Sequence, residues 1–371
     1  MRKADATTLE YVTSTNQSPR HVTLIDPAKQ DANTAANRAM VAVECGSSMI
    51  FVGGSTDTPD EVVHSTCRAI QEAFELRAFA ASQDPESDES QWHIPVVLFP
   101  GGAHALSPAA DAITFMMLMN SKTRRFLVGE QVRGAPYLDK FGVEALPTGY
   151  LVCSPGGRVG EVGDAELIQP EDTDLTHAYA LTAQMFGFKL LYLEAGSGAH
   201  TQVNPALIES ARSVEGLTLV VGGGIRSPEQ ATLAAKAGAD WIVTGTLTED
   251  ASDLEELRQR ISGIVNAIQQ AQINFIQLDS PESVAELSRN IHRLAKSLNH
   301  EATGQALIDD IQQLENSIVS KQNGSALNMV FLLDLNDRGL SQAGRYTVGN
   351  ALITLLHGEN VSNFNGFQTR R

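Results

Sequence analysis

The chain has 371 residues, 42% apolar and 6% aromatic, with 44 acidic residues against 27 basic ones and a net charge of −17. That balance excludes a nucleic-acid groove, which needs clustered Lys and Arg, and it disfavours adhesion to an anionic membrane by charge alone. Cys45, Cys67 and Cys153 are odd in number and scattered. They predict neither a disulfide framework nor a metal site and fit a reducing cytoplasm.

Residues 1–20 form a polar N-terminal segment without the apolar stretch of a signal peptide. No apolar run is long enough to span a bilayer, so the expected protein is soluble, with at most peripheral membrane contact. From 21 to 268 short apolar runs alternate with helical stretches. Eight runs read as buried strands: His21–Ile25, Met49–Val52, Val96–Phe99, Ala112–Met119, Gly149–Cys153, Leu190–Leu193, Thr218–Val221 and Trp241–Val243. Between them lie helical stretches such as Pro59–Phe79, Leu175–Phe186 and Pro205–Val214. The alternation predicts an α/β chain folded as a (β/α)8 TIM barrel. Only about a dozen residues, containing PGGAHALSP, separate the third and fourth strands, too few for a full crossover helix. The barrel is therefore expected to be modified there, and the acidic stretch 80–91 before the third strand reads as a mobile loop. Residues 269–371 read as a mostly helical C-terminal extension. Its apolar residues repeat at three-and-four spacing over Val284–Leu298 and Leu307–Ile318, with an apolar piece at Ala326–Leu335 and a helix at Tyr346–Leu356. It carries no catalytic motif and is expected to pack on the barrel or on a neighbouring subunit.

In such a barrel, chemistry gathers where the strands end. Strands seven and eight both stop at glycine: LVVGGGIRSPEQ leads from Gly222, Gly223 and Gly224 into a helix capped by Ser227-Pro228-Glu229, and WIVTGT ends at Gly245 and Thr246. Successive strand–glycine units of this kind build a phosphate site; the alternative is that the glycines only make tight turns. Strand one ends in Asp26 and strand two in Gly53-Gly54-Ser55-Thr56, a carboxylate and a hydroxyl suited to Mg2+ that borrows further oxygens from a substrate phosphate. Strand six ends in YLEAGSG, where Glu194 could orient or deprotonate a hydroxyl and Tyr192 could point the same way. The alternative is that Tyr192 fills the barrel and Glu194 pairs with a lysine. After strand five, Arg158 is a second anion contact or a solvated surface group. Cys153 reads as a buried thiol. His104 lies in the short third connection, and Met116, Met117 and Met119 make the fourth strand apolar, as core or as lining for a long hydrocarbon.

Taken together these segments resemble the geranylgeranylglyceryl phosphate synthase family, prenyltransferases of archaeal-type ether-lipid synthesis. The resemblance covers roughly residues 20–265 and is carried by HVTLIDPAKQ, FVGGST, VVLFPGG, YLEAGSG, GGGIRSPE and TGT. It implies a barrel whose third helix is replaced, and transfer of a geranylgeranyl group from its diphosphate to the C3 hydroxyl of sn-glycerol 1-phosphate with Mg2+. It implies Asp26 and Ser55 as Mg2+ ligands. The stretch Tyr192, Leu193, Glu194, Ala195, Gly196, Ser197 and Gly198, with Gly223, Gly224, Gly245 and Thr246, would hold the glycerol phosphate. Arg158 would face the diphosphate, and the protein would form a homo-oligomer. The chain departs from the pattern at Leu24, where some members carry lysine, and at Ser154, where the lysine-less branch tends to carry glutamate. A different prenyl chain length, or a phosphosugar isomerase or lyase on the same scaffold, are the rival readings.

Overall fold

Apolar runs rich in Val, Ile and Leu bury both faces, and here all eight become parallel strands. The computed structural model describes residues 7–14, 19–54, 58–85, 87–271, 281, 283–297, 300–321, 328–329, 332–336, 339–342 and 359–360. Ser55 and the expected helix at 346–356 lie outside the described residues. The chain falls into two compact units, Met1–Ile273 and Asn274–Arg371.

In the first unit β1 (Arg20–Ile25), β2 (Met49–Gly54), β3 (Val96–Pro100), β4 (Ala112–Leu118), β5 (Glu144–Val152), β6 (Leu190–Glu194), β7 (Thr218–Gly222) and β8 (Trp241–Thr244) close into one parallel barrel. β1 pairs with β8 to shut it, Val22 opposite Val243. Alternation along each strand divides the apolar side chains into two cores. Val22, Phe51, Phe99, Tyr150, Tyr192 and Trp241 fill the lumen, whereas Ile25, Ile50, Leu151, Leu193 and Ile242 face the surrounding helices.

The first helix, α1 (Thr8–Thr13), falls within the polar N-terminal segment yet belongs to the barrel. Its Tyr11 and Val12 enter the lumen cluster. The Arg20 guanidinium lies 3.8 Å from the Trp241 ring centroid and donates to the carbonyls of Tyr11, Val12 and Ser14. Trp241 Nε1 donates to the Val12 carbonyl at 2.9 Å, and the Glu144 carboxylate receives the first amides of α1, from Thr8 and Leu9. A capping box between Thr7 and Glu10 fixes the helix start.

Helices α2 (Ala32–Glu44) and α3 (Asp60–Ser82) cover β1 and β2. α3 extends past the point where the sequence suggested a loop, and a 3-10 turn at Glu89–Trp92 buries Trp92 against Phe74 with ring centroids 6.1 Å apart. Between β3 and β4, residues 101–111 form only bends and turns, so no third crossover helix exists. The wall beside that opening is instead supplied by a π-helical turn, Arg125–Gly129, continuing into α4 (Glu130–Phe141). The circuit continues with α5 (Gly157–Val162), α6 (Thr173–Met185), α7 (Pro205–Arg212), α8 (Pro228–Lys236), α9 (Thr246–Glu249) and α10 (Leu254–Ala271).

In the second unit α11 (Val284–Ser297) and α12 (Glu301–Lys321) pack together, burying Ala295 and Ile308. Leu294, Leu307 and Leu314, three residues of the expected apolar stripes, are exposed. Two strand pairs follow: β10 (Leu332–Asn336) with β11 (Gly339–Gln342), antiparallel, and β12 (Glu359–Asn360) with β9 (Asn328–Met329), parallel. Among the described residues no helix is long and apolar enough to cross a membrane.

Candidate active site

Strand alternation decides which of the predicted β6 residues reach the lumen. Tyr192 and Glu194 face it, while Leu193 and Ala195 turn into the outer core. Tyr192 is packed by Phe99 and Tyr150, ring centroids 5.4 and 5.1 Å away. Glu194 is buried, and its Oε1 accepts the Gly196 amide at 2.7 Å. Among the described residues no cation pairs with it, so the lysine partner that the sequence left open is not there. Burial raises its carboxyl to about 7, against which the Gly196 amide and the Tyr192 hydroxyl favour the ionised form. This carboxyl can therefore take or give a proton near neutrality.

The glycines after β7 have a more specific task than baring backbone. A Cβ at Gly222 would stand 2.3 Å from the Tyr192 hydroxyl, and one at Gly223 would stand 2.2 Å from Glu194 Oε1. Gly223 also sits at φ +79°, where side chains are strained. The two residues thus hold open the space that the Tyr192–Glu194 pair occupies. The helix that follows, α8, satisfies its own first amides: Ser227 and Gln230 form a reciprocal capping box, with Pro228 and Glu229 in its first turn as expected.

One cavity of about 480 Å3, a size typical of small-molecule sites, collects most of the predicted positions. Its polar end is walled by Asp26, Tyr192, Glu194, Ser197, Gly198, Gly223, Gly224, Gly245 and Thr246, with Arg158 exposed at the rim. Thr246 Oγ1 receives the Gly198 amide at 3.3 Å, tying the β6 loop to the β8 loop. Its apolar end runs past Phe99, Ile113, Phe115, Met116, Leu118, Phe126 and Leu138 toward the opening left by the missing helix. His104, Met117 and Met119 are not among the walls. Cys153 is buried with its thiol pushed up to about 12 by desolvation, which fits a packing role and not a nucleophile.

Among the wall residues that the sequence did not single out, Arg226, Lys29 and Glu130 are charged groups with defined partners. Arg226, which follows the glycines in GGGIR, donates to the Gly198 carbonyl at 3.2 Å and lines the polar end. Lys29 pairs with Glu249, and Glu130 receives the Ala103 amide at 2.7 Å in the β3–β4 connection. Arg226 had a readable signal in its adjacency to the glycine run, and Lys29 one in its place three residues after Asp26.

Whether these residues suit Mg2+ turns on Asp26. Its Oδ1 accepts the Ala28 amide at 2.9 Å, and Oδ2 faces Gly54, where a Cβ would come within 2.8 Å. One hard carboxylate oxygen is thus left facing the cavity, which fits a cation that keeps waters and takes substrate oxygens. Among the described residues no three Asp, Glu, His or Cys side chains converge on a point, so such a cation would depend on the substrate for coordination.

The pattern that defines the PcrB family matches residues 14–266. The chain belongs to the PcrB family. Curated relatives include the geranylgeranylglyceryl phosphate synthase of Methanothrix thermoacetophila, 41% identical over 249 residues, which are 67% of this chain and 89% of that protein. The enzyme of that name from Pyrococcus horikoshii is 42% identical over 248 residues, 67% of this chain and 91% of its own. Solved family structures superpose as well. (S)-3-O-geranylgeranylglyceryl phosphate synthase from Thermoplasma acidophilum, in complex with sn-glycerol-1-phosphate, gives a TM-score of 0.63 at 37% identity, covering 71% of this chain and 99% of that one. The Thermoplasma volcanium protein gives 0.65 at 38% identity, covering 72% and 100%. The PcrB-family match ends within α10, so the second unit lies beyond it.

Proposed function

We propose that this PcrB-family protein transfers a geranylgeranyl group from geranylgeranyl diphosphate to the C3 hydroxyl of sn-glycerol 1-phosphate, making the first ether bond of archaeal-type membrane lipids. The observation that carries the reading is one cavity with a polar end rich in glycine, a buried Glu194 carboxyl that is raised to about 7, and an apolar extension. The names of its relatives and the glycerol phosphate bound to the T. acidophilum protein support it.

In this reading the loops at Gly198, Gly223 and Gly245–Thr246, with Arg226, hold the glycerol phosphate and turn its C3 hydroxyl toward Glu194. The allylic C–O bond to diphosphate breaks, a C–O bond to the glycerol oxygen forms, and the hydroxyl proton passes to Glu194. The departing diphosphate lies across the mouth, near Asp26 and Arg158. Asp26, with Ser55, would hold Mg2+, whose charge offsets that of the leaving group. The prenyl tail lies along Phe115, Met116 and Leu138. Assembly into a homo-oligomer belongs to the same proposal. It is supported by exposed Phe141, Met185 and Phe186, which end the helices leading into neighbouring strands β5 and β6. A cytoplasmic location, consistent with three free cysteines, completes it.

Calorimetric titration separates the parts. sn-Glycerol 1-phosphate should bind without added metal, with its sn-3 isomer far weaker, whereas tight binding of a prenyl diphosphate should need Mg2+. Equal affinity for the two glycerol phosphates, or a preference for a phosphosugar, would remove the assignment. A series of prenyl diphosphates read the same way fixes the chain length.

A further inference from the structure

The helix that walls the apolar end of the cavity has a second, outward face. Phe126, Glu130, Gln131, Gly134 and Leu138 look into the cavity. Arg124, Arg125, Gly129, Val132 and Arg133, with Glu130 reaching both sides, line a shallow surface depression beside the same opening. Lys122, Arg124, Arg125 and Arg133 are exposed, as are Val128 at 37% and Val132 at 62%. Residues 121–134 thus carry four basic residues against one acidic, in a chain that holds 27 against 44. The one acid, Glu130, is buried and shared by Arg125 and Arg133. Among the described residues Lys122 and Arg124 have no carboxylate in ion-pair reach.

We infer that this outer face docks on the surface of an anionic lipid bilayer. The inference rests on the proposed reaction only in that the cavity takes a hydrocarbon tail. Along residues 121–134 the charge is the reverse of the chain's, and exposed valines stand between the cations. That combination suits headgroup phosphates and the acyl boundary beneath them. A surface made only to keep the protein dissolved would follow the acidic character of the rest. Docked in this way, the groove opens toward the bilayer, so an amphiphilic substrate enters, and a lipid product leaves, without its tail crossing water.

The test is flotation of the full chain with vesicles of phosphatidylcholine alone or mixed with phosphatidylglycerol. The protein should float with the anionic vesicles at low salt, stay behind with the neutral ones, and be released as salt shortens the Debye length to about 3 Å at 1 M. Lys122→Glu with Arg124→Glu should weaken anionic-vesicle binding on the order of 30-fold or more. Val132→Asp should weaken it as well. None of the three side chains lines the cavity, so transfer from detergent-dispersed substrate should be unchanged. Equal flotation with both vesicle types, or a charge-reversed variant that floats like the parent, would overturn the inference. So would a charge-reversed variant that changes only sedimentation mass, since the face would then join copies of the chain. Flotation is read without turnover, so failure of the proposed reaction cannot be mistaken for failure of docking.

Discussion

Among the described residues Glu194 has no counter-charge, and its carboxyl is raised to about 7 because burial, its largest influence, opposes ionisation. Its ionised fraction rises as pH climbs through about 7. kcat/KM should therefore rise over the same interval and level off above it. Glu194→Gln should lower turnover by about 10²–10⁴-fold and erase that limb while leaving glycerol phosphate binding largely intact. A pH profile unchanged in the variant would remove Glu194 as the base. The glycines make a second, sharper prediction. Gly222→Ala drives a methyl into the Tyr192 hydroxyl, so it should cost activity in the parent protein and much less beside Tyr192→Phe. A double-mutant cycle in activity checks this, and simple additivity would contradict the contact. Asp26→Asn should raise the Mg2+ concentration needed for half-maximal rate; an unchanged titration would sink that assignment. Much of this was legible in the sequence, because acids and glycines at strand ends are conspicuous. The pairing of Gly222 with Tyr192 and of Gly223 with Glu194 was not, since it joins residues about thirty positions apart across two strands.

At the scale of elements, β1 to β8 could be read from sequence because parallel strands buried on both faces show as unbroken apolar runs. The missing third helix was equally readable, from chain length alone. α1 was hidden for the opposite reason. Six residues with a polar flank carry no periodic signal, and the helix exists through tertiary partners, Arg20, Trp241 and Glu144. It closes the floor of the barrel whose upper end holds the site. Arg20→Met should destabilise the first unit on the order of 3 kcal/mol by orphaning the buried carbonyls of α1, measured by denaturant unfolding. A change below about 0.5 kcal/mol, ordinary for a surface position, would mean that α1 is not a structural plug. The wall element at 125–141 was also unread, since Gly129, Gly134 and Pro136 interrupt any helical pattern that the sequence could show.

For the molecule as a whole, acid stability should be limited by His21. Both its ring nitrogens are engaged, Nδ1 with Ser47 Oγ at 2.8 Å and Nε2 with Thr244 Oγ1 at 2.9 Å, and burial lowers it to about 3. Unfolded, it takes a proton near 6.5, so the unfolded state gains protons first as pH falls. Stability is full above about 6.5 and declines toward 3, by about 1.4 kcal/mol per pH unit from this group. An NMR titration should find its imidazole neutral at pH 5. Every wall residue of the cavity precedes position 251, and the family match ends at 266. The most direct test of the central claim is transfer itself, with radiolabelled sn-glycerol 1-phosphate incubated with geranylgeranyl diphosphate and Mg2+. Label should move into the organic phase as a single prenyl ether, with release of diphosphate and with loss of both in Glu194→Gln. Label that stays in water with every prenyl donor, from protein that binds the glycerol phosphate, would contradict the account.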